Sequence, residues 1–257
     1  MKILIVGDIF SKLGRSTFER NLKRIKEEQK IKFVIVNGEN TSHGKGMNEG
    51  HYKWYMSQGV NCITLGNHSF QNKSILNFID DVNNIVRPLN YNVQYGKGYQ
   101  TINYNGLKIT VMQVIGRTFM NGEFPSPFEA AQKVLDEVPS DIYICDIHAE
   151  ATSEKIAFGY NFDGKIDIVF GTHTHVQTSD ARILPNGTAY ITDVGMTGAL
   201  EGVIGVKKEV ILDRLLNDGR KPFDPKDDGL SQFSAIIVEI NDTTHKVTSI
   251  DTIYIVE

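Results

Sequence analysis

The sequence predicts an α/β fold built on a mixed sheet, and three observations carry that prediction. Short continuous apolar runs recur, each closed by polar residues and most often a glycine; such runs suit strands buried on both faces. Amphipathic stretches of helical period separate the first of them, so the strands they join are parallel. Further along, Asn-Gly pairs join strand-like segments, which signals hairpins and adds antiparallel strands. At 257 residues the chain is long enough for one large α/β domain or two small ones. No boundary, internal repeat or low-complexity tract divides it, so it reads as one domain, 1–257.

Lys2 to Val6 is the first strand, ended by Gly7-Asp8. Arg15 to Gln29 sets Phe18, Leu22 and Ile25 at helical spacing. Phe33 to Val36 is the next strand, ended by Asn37-Gly38-Glu39-Asn40. A polar, glycine-rich loop, Thr41 to Gly46, then leads to a helix from Asn48 to Gln58. Cys62 to Leu65 is a strand ended by Gly66-Asn67-His68, and a helix is expected from Ser74 to Val82. Gln100 to Val114 forms a hairpin about Asn105-Gly106, and Phe128 to Glu137 is helical. Asp141 to Ile147 is a strand ended by His148, followed by a helix from Thr152 to Phe158. Ile166 to Phe170 is a strand ended by Gly171-Thr172-His173-Thr174-His175. A second hairpin spans Ile183 to Ile191, Leu216 to Gly229 reads as an exposed loop, and Ser234 to Ile240 pairs with Val247 to Val256.

Composition narrows the partners. Lys and Arg number 27 against 31 Asp and Glu, a net charge of −4. That balance gives no electrostatic reason to expect a long nucleic acid or an acidic membrane. A small anionic substrate is compatible with it, because a bound metal brings its own positive charge. No apolar run approaches a membrane span. Cys62 and Cys145 each lie inside an apolar run and read as buried reduced thiols, and the expected location is the cytoplasm.

The strand ends collect an unusual set of side chains: Asp8, Glu39 and Asn40, Asn67 and His68, His148, and the pair His173 and His175. Ligand sites of open α/β sheets lie at that edge. In extended backbone, residues two apart point the same way, so His173 and His175 are expected to reach one small volume. Carboxylate, amide oxygen and imidazole without thiolate suit Mn, Fe or Zn, not a cysteine-rich structural zinc.

The order Gly-Asp, Gly-Glu-Asn, Gly-Asn-His, a lone His and Gly-x-His-x-His resembles that of the calcineurin-like metallophosphoesterases. Within them, Glu39-Asn40, His148 to Glu154 and Asp193 to Gly198 resemble the YmdB-type branch of 2′,3′-cyclic-nucleotide 2′-phosphodiesterases. The resemblance implies two packed mixed sheets flanked by helices in α-β-β-α layers. It implies one metal held by Asp8, Glu39, Asn40 and His175, and a second held by Glu39, Asn67, His148 and His173. The resemblance implies that Glu39 would bridge ions about 3.5–4 Å apart, which would make hydroxide available at neutral pH. Fe or Mn is the expected metal, with Zn as the other choice. The wider superfamily opens with Asp-x-His, and Phe10 stands at that third position; Asn40 is the implied replacement ligand.

His68 is the implied general acid, since a neighbour of Asn67 on an extended chain points away from the metals. The implied activity is hydrolysis of small cyclic nucleotides, 2′,3′-cyclic nucleoside monophosphates and also 3′,5′-cyclic AMP. His43, Arg117, Gly195 and Thr197 are candidate substrate contacts, with a solvated loop histidine and a structural ion pair as the plain readings of the first two. Asp146 and Glu150 flank His148 and are candidates to hold an imidazole N–H. Two further functions stand beside this one: a phosphomonoesterase or protein phosphatase, and a metal-loaded regulatory protein whose turnover is incidental. Assembly into a homo-oligomer is a further implication of the resemblance.

Overall fold

Alternation along the first strand sets up the layers. In β1 (Lys2–Val6), Ile3 and Ile5 turn to one side and Leu4 and Val6 to the other, and all four are fully buried. A strand apolar on both faces has to be covered twice. The computed structural model, which describes residues 1–257, shows both covers. Ile3 and Ile5 pack, with Phe33 and Ile35 of β3 (Ile31–Asn37), against a second sheet. Leu4 and Val6 pack, with Val34 and Val36, against Phe18, Leu22 and Ile25 of α1 (Ser11–Gln29) and Tyr55 of α2 (Glu49–Ser57).

The first sheet has eight strands. β2 (Asp8–Ile9), β12 (Met196–Ala199), β15 (Ser231–Ile240), β1, β3, β4 (Cys62–Thr64) and β5 (Ile85–Val86) follow in that order, and β16 (Val247–Val256) pairs with β15. The second sheet runs β10 (Arg182–Ile183), β11 (Ala189–Ile191), β9 (Ile168–Thr172), β8 (Ile142–His148), β7 (Leu107–Ile115) and β6 (Tyr99–Tyr104). Its inner face packs on the first sheet through Val111, Ile144, Ile168 and Phe170. Its outer face is covered by Ala131 and Val134 of α3 (Pro127–Glu137) and Phe158 of α4 (Thr152–Asn161). Two mixed sheets between two helical layers is the expected architecture. β1, β3 and β4 are parallel, as are β7, β8 and β9.

Three elements differ from the sequence reading. Ser74 to Val82 forms two short 3-10 turns, Lys73–Asn77 and Ile79–Asp81, separated by Phe78 at φ −145°. Ile75, Phe78 and Ile79 still bury in the same core, on the i, i+3, i+4 spacing that suggested a helix. α1 starts four residues before Arg15 because the Asp227 carboxylate accepts from Lys12 N (3.0 Å) and Leu13 N (3.2 Å). A helix α5 (Lys208–Asn217) precedes the expected loop, following the small hairpin β13 (Gly202–Val203) and β14 (Val206–Lys207). No helix is long and apolar enough to cross a membrane.

Candidate metal centre

The C-terminal ends of the parallel strands in both sheets meet at one place. β2 carries Asp8, the turns after β3 and β4 carry Glu39-Asn40 and Asn67-His68, β8 ends on His148, and His173 and His175 follow β9. Asp146 stitches the two edges together. Its fully buried carboxylate accepts from Thr64 Oγ1 of the first sheet (2.6 Å) and from Gln113 Nε2 (2.8 Å) and Thr172 Oγ1 (2.7 Å) of the second. Gly66 makes the convergence possible, because a Cβ there would collide with the Glu39 carboxylate and the His148 ring.

His148 Nε2 is the hub. It lies 3.3 Å from Glu39 Oε1, 3.1 Å from His173 Nδ1 and 2.7 Å from Asn67 Oδ1. Donor atoms about 2.0–2.2 Å from one ion at right angles stand about 3 Å apart, and these separations fit. Alongside, Asp8 Oδ1 lies 3.7 Å from His175 Nε2. Asp8 Oδ1 and Asn40 Oδ1 are buried and have no hydrogen-bond partner. Asn40 Nδ2 is already committed to Gly44 O at 3.1 Å, so only its oxygen is free. Burial, with the Asp193 charge second, holds Asp8 up at about 8. Burial and then Asp8 itself raise Glu39 well above the usual carboxylate range. Buried carboxylates crowded together with orphaned oxygens call for a positive charge, so the donor set fits divalent cations.

Hydrogen bonds fix which imidazole nitrogen is available. Thr172 has one hydroxyl proton and gives it to Asp146. It therefore accepts from His148 Nδ1–H (2.8 Å), which leaves Nε2 of His148 a lone pair. His175 Nδ1 faces the Ile204 carbonyl at 3.1 Å, an acceptor only, which leaves its Nε2 free toward Asp8. Glu150 Oε2 lies 3.2 Å from His173 Nε2, so Nδ1 is the atom turned to the hub. Asp146 thus reaches His148 through Thr172, while Glu150 serves His173.

The same centre corrects two geometric expectations. His173 and His175 are not on extended backbone; β9 stops at Thr172 and their φ values are 100° and 64°. Left-handed turns, not strand alternation, aim the two rings. Asn67 and His68 also lie in a turn, and Asn67 Nδ2 approaches His68 Nε2 to 3.3 Å, so the two neighbours do not point oppositely. What holds the strained 173–175 turn is a buried ion pair that sequence reasoning missed. Lys155 Nζ meets Asp193 Oδ2 and Thr172 O, each at 2.7 Å, and Asp193 accepts from Thr174 N (3.1 Å) and Oγ1 (2.8 Å). The signal was present: Lys155 shares a helical face with Phe158 and Gly159, all buried.

A family model described as YmdB-like protein matches residues 4–253. The chain belongs to the YmdB-like family. It is 42% identical over 258 residues to a Bacillus subtilis protein named 2′,3′-cyclic-nucleotide 2′-phosphodiesterase, covering 99% of this chain and 97% of that one. It is 37% identical over 264 residues to a Mycoplasma pneumoniae putative phosphatase/phosphodiesterase, covering 100% and 94%. A crystal structure of a novel phosphatase from Mycoplasma pneumoniae superposes with a TM-score of 0.95 at 36% identity, covering 100% of this chain and 93% of that chain.

In this YmdB-like chain the remaining candidates divide. His43 (φ 51°), His68, Glu39, Asn40, His173 and His175 line one cavity of about 460 Å³. Phe10 lines it too, its ring edge-on to His175 at 5.7 Å. Gly195 and Thr197 do not face the cavity. They lie buried beside β2: Gly195 O accepts from Asp8 N (3.0 Å) and Thr197 O from Phe10 N (2.9 Å), so they position Asp8 through the backbone. The approach is close enough that a Cβ on Gly7 would strike the Gly195 carbonyl. Arg117 lines a different cleft with Asn92, Gly122 and Phe124, and its backbone N–H donates to Glu154 at 3.0 Å. Polar type and a neighbouring glycine mark a residue as a candidate; only packing decides which cleft it faces.

Proposed function

We propose that this chain is a metal-dependent phosphodiesterase acting on small cyclic nucleotides, 2′,3′-cyclic nucleoside monophosphates first and 3′,5′-cyclic AMP as a further substrate. The observation that carries the reading is the convergence of Glu39, His148 and His173 beside the orphaned oxygens of Asp8 and Asn40. The name of the Bacillus subtilis relative supports the substrate class. Two ions, Fe or Mn with Zn as the other choice, belong to the centre in this reading. Asp8, Glu39, Asn40 and His175 are the ligands of one; Glu39, Asn67, His148 and His173 are those of the other. When bound, the ions supply Lewis acidity and bring the pKa of water down to the neutral range.

The chain's own residues orient the ester and handle its proton. His68 is the general acid: it lines the cavity, and its Nδ1 is buried without a partner. Burial, then His175, hold its pKa below the usual histidine value, so the negative charge of a bound phosphate is what keeps it protonated. As water adds to phosphorus and the P–O2′ bond breaks, the 2′-oxygen takes that proton and a nucleoside 3′-phosphate leaves. His43 is a phosphate or sugar contact at the cavity rim. Residues 1–257 act as one unit, since both sheets contribute ligands. The two buried free thiols, Cys62 and Cys145, support a cytoplasmic setting. Homo-oligomer formation rests on the family resemblance, and solution scattering measures it.

The test is metal content by elemental analysis on protein made without chelators, then product analysis on 2′,3′-cyclic AMP. Chelator and Glu39→Ala abolish turnover; undiminished activity in Glu39→Ala sinks the bridging role. His173→Ala loses the second ion first and His175→Ala the first. His68→Ala keeps both ions and loses about 10²- to 10⁴-fold in rate. Faster hydrolysis of monoesters than of diesters would move the assignment to a phosphatase. If His68→Ala, inactive but metal-loaded, still rescued a deletion strain, the regulatory role would win.

A further inference from the structure

The segment after α5, Asp218 to Leu230, is irregular but fastened. Lys207 Nζ pairs with Asp224 Oδ2 at 2.6 Å, and Lys207 N donates to Asp224 O at 2.9 Å. Pro225 bridges to Val206, and Lys226 N donates to Gly205 O at 2.9 Å. Asp227 caps α1 through Lys12 N and Leu13 N and takes Ser11 Oγ at 3.0 Å. These ties hold a strap across β14, next to the Ile204 carbonyl that orients His175.

Just before the first tie stands Phe223. It lines the metal-centre cavity yet is 48% exposed. A singly exposed phenylalanine is ordinary; what distinguishes Phe223 is its place on the wall of this cavity. The Arg214 guanidinium of α5 stacks over the ring with Cζ 4.2 Å from the centroid, and Arg214 Nε is held by Lys221 O at 3.0 Å. One face of the ring is thus backed by a cation, which leaves the other for the cavity. The cavity lining is mixed: carboxylates and imidazoles share it with Phe10, Ile204, Val206 and Phe223, and Phe10 stands edge-on to His175. A nucleotide has the same two needs, a charged phosphate to be neutralised and a flat, weakly polar base to be covered.

We propose that Phe223, backed by Arg214, is the platform on which the substrate's nucleobase stacks, so that the strap makes the cavity a nucleoside-phosphate site instead of a general phosphodiester site. This deepens the phosphodiesterase reading and rests on it for the position of the phosphate. Base–aromatic stacking accepts any base, because every base has a π-face.

The experiment compares 2′,3′-cyclic AMP with a base-free probe, 1-O-methylribose 2′,3′-cyclic phosphate, on metal-loaded protein by steady-state kinetics and by calorimetric binding. Phe223→Ala is expected to raise KM and Kd for the nucleotide about tenfold, toward the low end of base–aromatic stacking, with kcat changed less than about twofold. The base-free probe is unaffected. Phe223→Tyr retains wild-type values, and Phe223→Leu, which keeps the apolar bulk, behaves like Ala. Equal losses on both probes, or a Leu variant that matches wild type, overturn the platform. So does wild-type protein that binds the two probes equally. If wild type turns over neither probe but binds the nucleotide more tightly in a Phe223-dependent way, the activity reading falls and the nucleobase subsite stands.

Discussion

Thr172 has one hydroxyl proton, and its destination decides what His148 can bind. Because Asp146 takes it, His148 must donate from Nδ1, and Nε2 is presented to the centre. Thr172→Val keeps the volume and the β-branch but removes the link. Loss of a partner of this kind costs about 10- to 100-fold in metal affinity, measurable by competition with a chelating dye. Thr172→Ser, which keeps the hydroxyl, retains the affinity; if the Val variant does so too, the tautomer argument is wrong. None of this was legible in the sequence. Asp146 was visible as a neighbour of His148, but Thr172 is 26 residues from it and looks like any strand-end threonine.

Between elements, the buried pair Lys155–Asp193 ties α4 to the 173–175 turn and to the segment entering β12. Both side chains are fully buried. Lys155→Met leaves Asp193 without its counter-ion, and breaking such a pair costs about 3–5 kcal/mol. Urea unfolding at pH 7 measures it, and a loss below about 1 kcal/mol would mean that the pair contributes no more than a surface one. The same linkage explains why helix starts were only partly readable. α2 and α3 begin at their own caps, Asn48 and Ser126, so local residues marked them. α1 begins at Asp227, more than 200 residues away, and no local pattern announces that.

At the scale of the whole molecule, the centre joins the two sheets and stores their electrostatic cost. Burial holds Asp8 at about 8 and Asp146 at about 7, against an ordinary value of 3.8. In chelated protein between pH 6.5 and 8 the unfolded chain has lost these protons, while the folded chain still holds them and gives them up as pH rises. For these carboxylates the folded state binds more protons, so they make stability fall with rising pH. The lowered histidines, His51, His68, His148, His173 and His175, act the other way near pH 6.5, where unfolded imidazoles are still about half protonated, and little above pH 7. Chelated protein is therefore expected to unfold at a lower temperature at pH 8 than at pH 7, and metal-loaded protein to show a smaller drop. Thermal melts at the two values decide it; a chelated midpoint that rises with pH contradicts the assignment of these carboxylates.

The sequence by itself determined the long strands, most helices and the polar residues at the strand ends. Apolar runs and helical periods are local records of burial, so these, four of the five helices among them, could be read directly, whereas the pairing of two sheets came only from the family resemblance. What only the tertiary structure decided is where those side chains aim. The left-handed turns at His173 and His175, the facing of Gly195 and Thr197 toward β2, the removal of Arg117 to another cleft and the seating of Phe223 in the cavity wall all follow from packing between distant segments. Side-chain direction at a strand end depends on turns and on contacts across the sheet interface, and one-dimensional periodicity carries no term for either.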